Sequence, residues 1–109
     1  MKVLDIKIHF EMHKTFKNEK AALKIIRGWA DEVFPSGYTI YLTKGIWKGK
    51  SSDSFTIERY DTRLNLLRDK SFLKKVKILA NKLKQEEIIV NAFKTDLETI
   101  KIKKDNILT

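Results

Sequence analysis

Apolar and polar residues alternate strictly from residue 3 to residue 12. Leu4, Ile6, Ile8, Phe10 and Met12 fall on one side; Asp5, Lys7, His9 and Glu11 fall on the other. A period of two over that length predicts a half-buried strand. After a polar connection over 13–18 the period becomes that of a helix. Ala22, Ile26, Trp29 and Val33 form a stripe that Leu23, Ile25 and Ala30 widen. The predicted helix runs from about Asn18 to Glu32. Asn18 is a good N-cap, and Glu19 sits where the helix dipole favours an acid. Phe34-Pro35-Ser36-Gly37 ends the helix, because proline disfavours helical backbone in the residue before it.

Residues 37–60 form the centre of the pattern, as two strands around a Gly/Ser/Asp-rich turn. Ile40, Leu42 and Ile46 share one side, and Thr39, Tyr41 and Thr43 the other. Gly45 interrupts the alternation, which predicts a bulge. Residues 48–54 contain no apolar side chain and read as the turn. The returning strand puts Phe55 and Ile57 on one face, and Thr56, Glu58 and Tyr60 on the other. Leu64 and Leu66 alternate with Arg63 and Asn65, so this strand is expected to continue past a kink near Asp61.

A second helix is predicted over about Ser71 to Gln85, with Phe72, Val76, Leu79 and Leu83 as its stripe, joined by Leu73 and Ala80. A last strand follows from Ile88 to Lys94. Leu97, Ile100 and Ile102 suggest an extension or a short fifth strand, and 103–109 a frayed tail. The order is strand, helix, strand, strand, helix, strand (βαββαβ). Two helices with one apolar stripe each need one sheet to cover. The expected fold is therefore α+β and ferredoxin-like, a single domain over 1–102. One antiparallel sheet would carry both helices on one face, through right-handed crossovers. The helices would cover Leu4, Ile6, Ile8, Ile40, Leu42, Phe55, Ile57, Val90 and Ala92. Lys7, His9, Glu11, Tyr41, Thr43, Thr56, Glu58, Ile89, Asn91 and Phe93 would be left on the opposite face.

Composition narrows the functional classes. The chain has 109 residues with 42% hydrophobic content, enough for a single core. No apolar run approaches membrane-spanning length, and the charged N-terminus does not read as a secretion signal. A cytoplasmic protein is expected. The absence of cysteine excludes disulfides, thiol catalysis and cysteine-bound metal. The net charge is +9, but only four of the 23 basic residues are arginine. Lysine lacks the planar fork that reads phosphates and bases, so the excess is weak evidence for nucleic acid.

One resemblance emerges from several stretches together. These are Phe34-Pro35-Ser36-Gly37-Tyr38-Thr39-Ile40, Gly45-Ile46-Trp47-Lys48-Gly49, Phe55-Thr56-Ile57-Glu58 and Gln85-Glu86-Glu87-Ile88-Ile89-Val90. Over residues 3 to 94 the chain resembles a group of small bacterial and phage proteins of unassigned function. They share a Gly-x-Trp hairpin and a ferredoxin-like layout. The resemblance implies that fold and a phage or mobile-element origin, in a host cytoplasm. It implies no catalytic residue.

Two groups of side chains are candidates for binding. His9, Tyr41, Tyr60, Ile89 and Phe93 would put aromatic and apolar surface on the helix-free sheet face. That face would suit a homodimer closed sheet to sheet, a protein or small ligand, or single-stranded nucleic acid stacked on the rings. Trp47, Lys48 and Lys50 at the hairpin tip, with Arg59 and Arg63, form a second set suited to an acidic partner or phosphates. Each has a plain structural reading as well: a solvated face, a mobile loop, and, for the lysines of the second helix, its solvent side. His9 and Glu11, two apart on one strand face, have the spacing to share a metal ion or an acid–base role. No nucleophile accompanies them, and the residues identify no metal or cofactor. The sequence thus leads to an expectation of a non-enzymatic binding protein that occupies a host protein or a small signalling ligand, in its most concrete form an antagonist of host defence. Nucleic-acid binding through the lysine-rich surface is the alternative, and an enzyme using His9 and Glu11 the third reading.

Overall fold

The computed structural model describes residues 1–11 and 18–101, and of Trp47 the backbone alone. Met12, His13 and the 103–109 tail therefore lie outside the described residues, as does Ile102. The order is β1 (Lys2–Glu11), α1 (Glu19–Val33), β2 (Thr39–Trp47), β3 (Lys50–Asp61), a 3-10 turn (Leu66–Arg68), α2 (Lys70–Lys82) and β4 (Ile89–Asp96). The four strands form one sheet in the order β2-β3-β1-β4, and every neighbouring pair is antiparallel. This is the expected ferredoxin-like α+β fold.

The period of β1 decides how the sheet is used. Leu4, Ile6, Ile8 and Phe10 enter the core, together with Phe55 and Ile57 of β3. From α1 come Ala22, Ile26, Trp29, Ala30 and Val33, and from α2 come Phe72 and Leu79. Asn18 caps α1, its side-chain oxygen accepting from the backbone N–H of Lys20 and Ala21; Asp69 caps α2 by accepting from Phe72. Trp29 locks the two helices together. Its indole N–H donates to the Lys75 carbonyl at 2.8 Å, and its ring packs near Phe34 and Phe72.

Four expectations need correction. The β2–β3 ladder pairs Gly45 with Ser52 without a break, so there is no bulge. The turn is only Lys48-Gly49, because Trp47 pairs directly with Lys50. Both turn residues have positive φ, 50° and 77°, the geometry that matches hairpin twist. Leu42 is 62% exposed although its ladder partner Phe55 is buried, because β2 is an edge strand of the sheet. Finally, β3 stops at Asp61 and does not kink onward. The Asp61 carboxylate accepts from the backbone N–H of Arg63 at 2.8 Å, closing a turn that competes with the ladder. Beyond β4 the ladder continues for two bonds, Leu97 N–H to the Met1 carbonyl and the Met1 amino group to the Leu97 carbonyl, and residues 97–101 form no further strand.

Candidate functional site

The register assembles the helix-free face row by row. Asp5 stands between Tyr60 of β3 and Phe93 of β4. Lys7 stands between Glu58 and Asn91 in the next row, and His9 between Thr56 and Ile89 in the one after. Tyr41 joins the His9 row from β2, opposite Thr56. All five residues expected on this face, His9, Tyr41, Tyr60, Ile89 and Phe93, are therefore on it. Tyr41, Tyr60, Ile89 and Phe93 are exposed.

Between the rings lies a group that sequence reasoning missed. Asp5 is only 6% exposed, although it points away from the core. Glu58 lies diagonally across the β1–β3 ladder from Asp5, whose Oδ1 has no partner. Burial, then the neighbouring Glu58 carboxyl, push the Asp5 pKa up. Glu58 goes the other way: the Tyr41 hydroxyl, donating to its Oε1 at 2.7 Å, outweighs burial and holds it below the ordinary carboxyl value. Lys7 lies 3.6 Å from the other Glu58 oxygen. Two neighbouring carboxyls are thus pushed apart, Asp5 toward the protonated form and Glu58 toward the ionised one. Pairs separated in this way can serve as acid and base. The pattern shows both residues as ordinary polar positions of two strands. Only the diagonal between them in the register makes them a pair.

His9 is held differently from the expectation that paired it with Glu11. Its Nδ1 lies 2.9 Å from the Thr56 hydroxyl and its Nε2 lies 3.1 Å from Asn91 Oδ1. One neutral tautomer satisfies both, with Nε2–H donating to Asn91 and Nδ1 accepting from Thr56. His9 and Glu11 do meet at the rim of a cavity of about 210 Å³, which Ser54, Gln85, Glu87 and Ile89 also border. Among the described residues, no three His, Asp or Glu side chains gather where they could hold a metal ion.

The second candidate set does not come together. Lys48 and Lys50 sit at the hairpin tip, and Arg63 follows the opposite end of β3, roughly 35 Å away at the rise of a strand. Arg63 turns inward. Its Nε and one terminal nitrogen donate to the two Asp61 oxygens, both at 2.9 Å, and the same terminal nitrogen reaches the Val33 carbonyl at 3.1 Å. Arg59 lies 3.7 Å from the same carboxylate. Arg63 thus ties the end of β3 to the end of α1, and Arg59 and Arg63 share the Asp61 carboxylate. The side chain of Trp47 lies outside the described residues.

No helix of the described residues is long and apolar enough to cross a membrane. No protein-family model matches the chain. No curated protein matches it either. Solved structures do match. A phage SAM lyase in its apo state aligns over 92% of this chain and 94% of its own, at 16% identity and a TM-score of 0.56. The phage SAM lyase in complex with S-methyl-5'-thioadenosine aligns over 91% and 93%, at 15% identity and a TM-score of 0.51. A dimeric ferredoxin-like protein from an uncultured marine organism aligns over 94% and 95%, at 16% identity and a TM-score of 0.40. At these identities the shared property is the fold. The lyase likeness nevertheless corrects two expectations, that of a non-enzymatic binding protein and that of no enzyme: the fold matched along nearly the whole chain is that of a phage enzyme.

Proposed function

We propose that this chain is a lyase acting on S-adenosylmethionine, with the helix-free sheet face as its active site. The observation that carries the reading is the Asp5–Glu58 carboxyl pair, set among the rings of Tyr41, Tyr60 and Phe93 in a fold shared with a SAM lyase. The substrate is a sulfonium cation. Aromatic faces and an ionised carboxylate are the groups that hold such a cation. Glu58 is the ionised member, and the Tyr41 hydroxyl fixes its orientation.

Cleavage breaks the bond between sulfur and the γ-carbon of the methionyl part. Sulfur keeps the electron pair and leaves as a neutral thioether, S-methyl-5'-thioadenosine. The four-carbon fragment completes its valence by closing through its own carboxylate or by yielding a proton to Glu58. Either course balances without water or an oxidant. The homodimer belongs to the same proposal. The rings on this face are exposed, and a second copy closing over them would exclude water from the reacting bond. A phage-encoded protein working in a host cytoplasm is part of the reading too, supported by the phage source of the structural neighbour.

The test is to incubate the protein with S-adenosylmethionine and separate the products by chromatography. S-Methyl-5'-thioadenosine is expected from the wild type. A rate lower by about 100-fold is expected from Glu58→Gln, the size of loss typical for a positioned acid–base group. Product no faster than in buffer alone overturns the proposal.

A further inference from the structure

The helix-free face is rich in acids and rings but poor in cations. Within the rows from Asp5 to Glu11, Lys7 is the one lysine or arginine among the described residues. It stands at the centre, with Glu58 on one side and Asn91 on the other. Its ammonium has three donors to place. The Glu58 oxygen facing it lies at 3.6 Å, longer than a hydrogen bond, and the other Glu58 oxygen already accepts from Tyr41. Asn91 gives its Oδ1 to His9, and both His9 nitrogens are occupied. The Lys7 side chain is 35% exposed. Its ammonium is open to solvent on this face and is left with donors that the fold does not use.

We propose that Lys7 is a positioning residue that reads a free α-carboxylate, so that the site selects an amino-acid sulfonium over one lacking the acid. This rests on the lyase reading above and names the part of the substrate that the reading leaves open. A methionyl end is a zwitterion, and Lys7 beside Glu58 offers it one cation and one anion on adjacent strands. Apart from Lys7, the charged groups in those rows are Asp5, Glu58 and Glu11, all of which repel or ignore a carboxylate. Asn91 and Thr56 are neutral and are held by His9. Lys7 is therefore the one cation that the carboxylate can pair with in those rows, and the Asn91 amide beside it has N–H donors to spare. With it fixed there, the chain of carbons leading back to sulfur is drawn along the Glu58–Tyr41 side of the face.

The experiment compares calorimetric affinities for S-adenosylhomocysteine and for its decarboxylated analogue, in the wild type, Lys7→Met and Lys7→Arg. Both are neutral thioethers without the sulfonium leaving group, so the comparison reads recognition of the carboxylate apart from any part it takes in the cleavage. The wild type is expected to prefer the carboxylated compound by about 100-fold, as a site built for a polar group rejects ligands that lack it. Lys7→Met should bring that ratio to within about threefold of unity, by losing affinity for the carboxylated compound alone, and Lys7→Arg should restore most of the preference. A Lys7→Met ratio equal to the wild-type ratio overturns the inference, including the case in which both ligands suffer alike through a general structural effect, and so do equal affinities in the wild type. If the wild type does not cleave S-adenosylmethionine, the lyase reading itself falls, while the affinity ratio still decides the role of Lys7.

Discussion

Asp5→Asn should make this protein more stable at neutral pH while impairing its site. Asp5 is buried on the helix-free face, its Oδ1 is unpartnered, and it faces an ionised Glu58. The unpartnered acceptor is present in either residue, so the gain comes from the charge: burial and the neighbouring Glu58 carboxylate oppose ionisation of Asp5, at about 1.4 kcal/mol for each pH unit by which its pKa is raised. The amide keeps the shape, removes the titrating charge and turns a permanent N–H toward Glu58. The net gain expected is about 1–2 kcal/mol, or roughly 4–8 °C in Tm per kcal/mol. The pH dependence has a definite sign. The folded-state pKa of Asp5 is raised above its ordinary value of 3.8, so the fold favours the protonated acid. The cost of ionising it is absent below 3.8, grows as pH rises through the folded value, and is complete above it. The advantage of Asp5→Asn should follow that course, nearly vanishing in acid. Urea unfolding at several pH values, with an unchanged m-value, measures it. A variant less stable than wild type at neutral pH, or an advantage that does not vary with pH, would refute the reasoning. Sites that store such cost gain stability when they lose function.

Other outcomes follow from the frame. Asp61→Ala removes the acceptor of three Arg63 N–H groups and should cost about 2–3 kcal/mol by urea unfolding, since Arg63 is half exposed and regains water while Arg59 Nε stays buried without a partner. Burial raises the Asp61 pKa, but its bonds to Arg63 outweigh this and hold it below 3.8, so that contribution is present above 3.8 and lost as pH falls through the folded value. Asp61→Ala should flatten this acid limb of the stability curve. Gly49→Ala should cost about 1 kcal/mol in thermal unfolding, because φ is 77° there and no neighbour lies near enough for the added methyl to pack against.

The fold was legible because its strongest signals agree across levels. The strict alternation of β1, the Asn18 cap and the Phe72–Leu79–Leu83 stripe each survive in the structure as burial or hydrogen bonds. The boundaries that moved did so for tertiary reasons. Leu64 and Leu66 alternate like a strand, but Asp61 binds Arg63 and turns the chain, and Leu66 is buried from a 3-10 turn. Leu42 fits the core period, but it lies on an edge strand, and the strand order is not written in the period. The candidate site was half legible. Period two alone placed Tyr41, Tyr60, Ile89 and Phe93 on one face. Asp5 and Glu58 are more than fifty positions apart, and each looks like an ordinary solvated acid. Their pairing is a property of β1–β3 register, which one-residue slips would abolish. The link of Arg59 and Arg63 to Asp61 was hidden for the same reason, since Asp61 becomes buried only when β3 closes on β1.

The most direct test of the central claim is where the nucleoside product sits. Backbone amide shifts of the labelled protein should be followed during titration with S-methyl-5'-thioadenosine. The account predicts saturable shifts centred on Asp5, Lys7, Tyr41, Glu58, Tyr60 and Phe93, weakened by Glu58→Gln. Shifts confined to the helical side, or none at saturating ligand, would contradict it.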